Sequence, residues 1–211
     1  LFLDELPEFS RGALEALRQP LEDRQITIAR ARCAVTYPAS FALVAAFNPC
    51  PCGFRGSALR SCTCDFGMIS RYLSRLSGPL LDRFDLHVEV PHVDYRTLLE
   101  AGRVGEPSGA VRQRVLTARK LQAKRAARHG DAYGCNVSLC PDQLQQVAAL
   151  DASAERLLLT YARRHVLSSR AVHRVLRVAR TVADLADCPQ LQAPHVAEAL
   201  SLRALDRPMV M

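Results

Sequence analysis

Lysine is almost missing from this sequence: of its 28 Lys and Arg residues, only Lys120 and Lys124 are lysine. Arginine therefore carries the positive charge, and its planar fork suits phosphate and carboxylate better than the point charge of an ammonium. Long apolar runs are missing too. None approaches the roughly 20 residues that a membrane-spanning helix needs, and no basic segment followed by an apolar stretch and a cleavage site marks secretion. These absences predict a cytoplasmic protein with no membrane partner. Internal repeats and low-complexity tracts are also lacking, which argues against repeat architectures. With 49% apolar and 23% charged residues over 211 positions, the composition is that of a folded chain with one large or two small cores.

What is present, first, is a positive balance. The 28 Lys and Arg against 21 Asp and Glu leave +7, which makes a nucleotide or nucleic acid a fair partner, although arginine richness also follows from genomic base composition. Eight cysteines without secretory marks point to metal or to chance, not to a disulfide framework. Cys50, Cys52, Cys62 and Cys64 crowd into CPCG and CTC, whereas Cys33, Cys135, Cys140 and Cys188 are scattered and read as small apolar residues.

The chain opens on LFLDELPEF, three apolar residues running into Asp4 and Glu5. Such a run reads as the end of a buried parallel strand with two carboxylates at its carboxyl edge, where open α/β sheets hold ligands; an exposed acidic turn is the alternative. SRGALEALRQPLED follows as one helix, capped by Ser10 and closed by Pro20. QITIARARCAVTYPA alternates like a hairpin, with Ile26 and Ile28 in one arm and Val35 and Tyr37 in the other. FALVAAFN predicts a second buried strand tipped by Asn48. After the cysteine-bearing loop come a helix around MISRYLSRL and an arginine-bearing turn leading into a third apolar strand in FDLHVEVP.

EAGRVGEPSG is the clearest linker, and everything after it has helical spacing. The expected fold class is α/β followed by all-α: an α/β core over 1–99, a linker over 100–109 and a helical domain over 110–211. In the helix SRAVHRVLRVARTVADLA, the residues Val172, Val175, Leu176, Ala179, Val182 and Ala183 form the inner face, and Arg174 and Arg177 are expected on a solvated one.

Five blocks, LFLDELPEF, LRQPLED, YPASFALVAAFNPCPCG, RLSGPLLDRFDLHVEVP and SSRAVHRVLRVARTVADL, resemble the magnesium-chelatase-like branch of the AAA+ ATPases, the family of ComM and YifB. The resemblance covers nearly the whole chain. It implies the C-terminal half of a P-loop-type parallel-sheet core, entered at its Walker B motif, followed by a helical lid domain. One departure matters: no GxxxxGK[ST] segment occurs. The chain thus resembles the C-terminal part of a longer ATPase, and by itself it is expected neither to bind ATP tightly nor to hydrolyse it.

The family implies ATP and Mg2+ as cofactors, for a reaction that asks a protein mainly for positioning and charge stabilisation. On this resemblance Asp4 holds the hydrated Mg2+, Glu5 orients or deprotonates the attacking water, and Asn48 is an uncharged sensor 1; capping of the strand before Pro49 is the alternative for Asn48. Arg83 resembles the arginine finger that reaches a neighbouring subunit's nucleotide, with an ion pair to Asp82 or Asp85 as its alternative and Arg75 as a rival for the role. Arg170, at a helix start where backbone N–H groups favour an anion, resembles sensor 2. The hairpin resembles one that grips DNA in a central pore, making Arg30 and Arg32 phosphate contacts. The four clustered cysteines could hold one tetrahedral Zn2+, although pairs one residue apart are tighter than the usual zinc spacing, and a metal-free reduced loop is the alternative.

The implied function is that of a homo-oligomeric, hexameric, ATP-driven motor on DNA, similar to the branch-migration helicase of natural transformation. Two other readings stay open. One is a chelatase-type ATPase subunit that remodels a metal-inserting partner; the other is a non-enzymatic nucleic-acid-binding module built on zinc and arginine.

Overall fold

The computed structural model describes residues 1–30, 33–93, 99, 105–129 and 134–206. Arg32 and residues 100–104 of the expected linker lie outside the described residues. The chain divides into two units, Leu1–Phe84 and Asp85–Met211.

The first unit begins with strand β1 (Phe2–Leu3) and a 3-10 turn at Leu6–Glu8. Helix α1 (Arg11–Ala16) starts where the Ser10 hydroxyl accepts the Ala13 N–H, and α2 (Arg18–Asp23) follows after the single residue Leu17. The one helix expected here is therefore two, and Pro20 lies inside the second instead of closing the first. A proline in a first turn loses nothing, because the N–H it lacks has no intrahelical partner there. Helix α2 ends instead at Arg24, whose left-handed backbone (φ 55°) swings the chain into the hairpin.

Strands β2 (Gln25–Arg30) and β3 (Cys33–Pro38) pair antiparallel, with Ile26 opposite Tyr37 and Ile28 opposite Val35, as the alternation predicts. Every residue of both strands is exposed. Strand β4 (Val44–Ala45) then runs parallel to β1, with Phe2 beside Val44 and Leu3 beside Ala45. Backbone bonds continue the pairing past the strands: Ala46 donates to the Leu3 carbonyl at 2.9 Å and Leu6 to the Ala46 carbonyl at 3.0 Å. Helix α3 (Phe66–Leu73) is capped by Asp65, which accepts the Met68 N–H at 2.7 Å, and α4 (Gly78–Leu81) by Ser77. Leu6, Leu14, Leu76 and Leu80 are buried together, with Leu3, Ala45 and Phe47 packed on them, so one apolar cluster holds the roots of both parallel strands.

The second unit contains α5 (Ser108–His129), α6 (Pro141–Val147), α7 (Ala152–His165), α8 (Ser169–Leu185) and α9 (Ala193–Ser201). The third strand expected in FDLHVEVP is not formed among the described residues. Leu86, Val88 and Val90 are at least half exposed, and His87 makes only a single parallel bridge, to Arg203. An apolar run becomes a strand only where a neighbouring ladder takes its N–H and C=O groups, and here one bridge does so. The helical core is built as the spacing predicts: Val175, Ala179 and Ala183 of α8 pack with Leu144, Leu158, Val196 and Leu200. Asp151 caps α7 by accepting the Ser153 and Ala154 N–H groups, and Ser168 caps α8. No described helix is long and apolar enough to cross a membrane.

The solvated face expected of α8 is not solvated. Arg174, 18% exposed, pairs with Asp85 at 2.7 Å, and Arg177 donates to the Leu139 carbonyl at 2.7 Å. Beneath them Asp184, 1% exposed, accepts from Arg125 of α5 (2.6 Å), Asn136 (2.9 Å) and Arg180 (3.1 Å). This buried network ties α5 to α8 through charge as well as packing.

Candidate functional site

Two adjacent parallel strands present their carboxyl ends at the same edge, and this adjacency brings the expected acids and amide together. Asp4 and Glu5 directly follow β1, and Asn48 follows β4 three residues after Ala45. All three are exposed. Such an edge is where open α/β sheets bind their ligands. The backbone N–H of Glu5 donates to Asp4 Oδ1 at 3.0 Å, and the Asp4 side chain is exposed. Glu5 itself sits in the left-handed region (φ 52°, ψ 47°). A non-glycine residue held there stores strain of order 1–3 kcal/mol, and such strain clusters at functional positions. Behind Asn48 the buried Tyr72 hydroxyl bonds to the Asn48 backbone, and burial raises the phenol pKa above its usual value.

Two arginines were expected to act on a nucleotide, Arg83 and Arg170, with Arg75 as a rival for the role of Arg83. Arg83 is 9% exposed and held by its own chain: Nε donates to the Arg18 carbonyl at 3.1 Å, Nη1 to the Pro79 carbonyl at 2.6 Å, and Nη2 pairs with Glu22. Its acidic partner is thus Glu22 of α2, and neither Asp82 nor Asp85. Arg75 is half exposed and reaches back to the turn after the acids, bonding the Pro7 carbonyl at 3.0 Å and Glu8 at 2.9 Å. It braces the segment that carries Glu5. Arg170, in the second unit, is exposed in the first turn of α8 beside its Ser168 cap. Arg30 is exposed at the end of β2, opposite Cys33.

The four clustered cysteines converge. Sγ atoms of Cys50 and Cys52 stand 3.4 Å apart, Cys50 and Cys62 3.6 Å, Cys52 and Cys62 3.5 Å, and all four including Cys64 lie within 4.8 Å of one another. Four thiolates around one zinc at about 2.3 Å stand about 3.8 Å apart, so both the donor set and the spacing fit a tetrahedral site. Positive φ at Gly53 (80°) and Gly56 (76°) lets the loop double back, and this overcomes the tight spacing in sequence. Backbone N–H groups of Phe54 and Thr63 pull the Cys52 thiol down to about 5, whereas burial, with neighbouring thiols adding to it, pushes Cys64 up to about 12. Cys50 is fully buried and only two residues beyond Asn48, so the cluster anchors the loop that leaves the Asn48 strand.

Sequence reasoning missed Tyr72, Glu22 and the Asp184 network. Glu22 and Arg83 are 61 residues apart, and no local pattern announces such a pair. Asn136 and Asp184 are likewise 48 apart.

The chain as a whole has relatives among known proteins. The family model for the magnesium chelatase subunit ChlI matches residues 1–98, and the model for the ChlI C-terminal domain matches residues 105–203. The chain belongs to this magnesium-chelatase-like family, on its ComM and YifB branch. It is 45% identical to the competence protein ComM of Haemophilus influenzae over 98% of its own length and 39% of that protein's. It is 43% identical to YifB of Escherichia coli over 100% of the chain and 40% of YifB. A Mycobacterium bovis protein, Mb2921c, is 43% identical over 96% of the chain and 39% of that relative. The chain thus spans about two fifths of the length of the curated relatives it matches.

Proposed function

We propose that this chain supplies the hydrolytic edge of an ATP site in a homo-oligomeric AAA+ ATPase, hexameric in its working form, that acts on DNA in the cytoplasm. The observation that carries the reading is the parallel pairing of β1 with β4, because it sets Asp4 and Glu5 beside Asn48 at one sheet edge. ATP with Mg2+ supplies the phosphoryl group to be transferred. Asp4 takes the hydrated cation, Glu5 accepts a proton from the attacking water, and Asn48 holds that water without repelling the phosphates. A phosphate-cradling loop from outside these 211 residues is required. The exposed apolar side chains of Leu1, Phe2 and Val44, on a parallel strand pair that proteins normally bury, support a sheet that continues beyond this pair.

Arg83 serves the neighbouring subunit's nucleotide once assembly draws it away from Glu22, and Arg170 serves as the second sensor. Arg30 and Arg32 contact DNA phosphates from the hairpin. The cysteines hold zinc as a structural brace beside Asn48, a reading that the sulfur spacing supports. The name of one relative, competence protein ComM, favours DNA as the client, while that of the family, magnesium chelatase, favours a metal-inserting partner. Hydrolysis by the complete protein, measured with and without DNA, separates them: acceleration by DNA is expected, and a rate indifferent to DNA supports the chelatase-type reading.

A further inference from the structure

The positive charge of this chain is concentrated in one helix. Helix α5 carries seven Lys and Arg residues and no carboxylate. Outside it the remaining 21 Lys and Arg equal the 21 Asp and Glu, so the entire formal charge of +7 belongs to α5. Two of the seven are neutralised within the unit, Arg114 by Glu106 and Arg125 by Asp184. The other five, Arg112, Arg119, Lys120, Lys124 and Arg128, are exposed and make no ion pair among the described residues; Arg119 bonds only the neutral Gln122, at 3.2 Å.

Buried Ala118, Gln122 and Ala126 mark the inner face of α5. On the outer face Lys120, Lys124 and Arg128 repeat at every fourth residue, a straight row with about 6 Å between neighbours. Both lysines of the protein stand in this row. Like charges at this spacing destabilise a helix, so the row does nothing for the fold. It suits a polyanion.

The other side chains on this face narrow the choice. Gln113, Thr117, Ala123 and Ala127 are small or polar, and Leu116 is the one large apolar residue among them, unlike the broad apolar flank of a membrane-surface helix. The helix has no aromatic residue on which unpaired bases could stack, as single-strand binders require. We propose that the outer row of α5 is a docking surface for the phosphate backbone of double-stranded DNA, without base readout. This rests on DNA being the client and adds a second contact surface, in the helical unit, to the hairpin.

The test is the binding of the full chain to a labelled duplex of about 30 base pairs by fluorescence anisotropy, between about 50 and 200 mM salt, where each neutralised phosphate contributes about −0.9 to the log–log slope. The variant Lys120→Gln, Lys124→Gln, Arg128→Gln should have a slope shallower by about 2–3 and bind at least about tenfold more weakly near 0.1 M salt. Lys120→Arg, Lys124→Arg, Arg128→Lys keeps the charge and should bind like the parent. If the triple Gln variant loses helicity by circular dichroism, Lys124→Gln alone should still reduce the slope by about 1. An unchanged slope and affinity would overturn the proposal, and so would tighter row-dependent binding to vesicles of anionic phospholipid than to duplex. A parent protein that binds no duplex at all refutes the DNA reading as well; one that binds normally while the Gln variant does the same refutes only the row.

Discussion

Replacing Asp184 with alanine should destabilise the helical unit more than any single change at its surface. The carboxylate is 1% exposed and accepts hydrogen bonds from Arg125 at 2.6 Å, Asn136 at 2.9 Å and Arg180 at 3.1 Å. Arg180 is itself 2% exposed, and burial, only partly offset by Asp184, lowers its pKa. Without Asp184 the buried guanidinium keeps only the carbonyls of Pro189 and Cys188, and a buried charge stripped of its counter-ion costs about 3–5 kcal/mol. By contrast, breaking the half-exposed Arg75–Glu8 pair with Glu8→Gln should cost less than about 1 kcal/mol. Urea unfolding of parent, Asp184→Ala, Arg125→Ala and the double variant gives both the cost and the coupling between the two residues. A loss below about 1 kcal/mol for Asp184→Ala would refute the view that this network locks α5 to α8.

Arg83→Ala should lower hydrolysis by the complete protein by roughly 10³-fold or more, and activity should reappear when it is mixed with Glu5→Gln subunits. If co-assembled mixtures stay as inactive as their parts while Arg83→Ala merely unfolds more easily, the Glu22 pair is its whole role. Cys52→Ser should abolish zinc binding measured by metal analysis of the purified protein, and a parent that carries no zinc after loading would leave the reduced loop standing. The Ser153 hydroxyl, then the Ala154 N–H, hold the Asp151 carboxyl below its ordinary value. Its cap therefore stabilises the fold above the unfolded carboxylate range near pH 4 and is lost as pH falls through the lower folded value. The stability gap between parent and Asp151→Ala should accordingly be full at pH 7 and close in that acid window; a gap that persists unchanged to pH 2 would contradict it.

The hairpin was legible because alternation fixes which residues share a face, and Ile26 meets Tyr37 as the pattern requires. The helix cap at Ser10 was equally local, and so was the abrupt change from apolar to polar that tipped each parallel strand with Asp4, Glu5 or Asn48. What escaped was set by distance or by the need for a partner. FDLHVEVP has the composition of a strand, but among the described residues only His87 finds a bridging neighbour. Arg174 and Arg177 looked like surface charge until Asp85 and the Leu139 carbonyl came to them from remote segments. Pro20 looked like a helix end because the break at Leu17 has no proline or glycine to mark it.

In the proposed function Glu5 is the group that activates water at the strand edge. ATP binding and steady-state hydrolysis by the complete protein carrying Glu5→Gln test this most directly. The expected result is ATP affinity close to the parent's with turnover reduced at least about 10²-fold, since glutamine keeps the shape and cannot take the proton. Hydrolysis at the parent's rate would rule out Glu5 as the base.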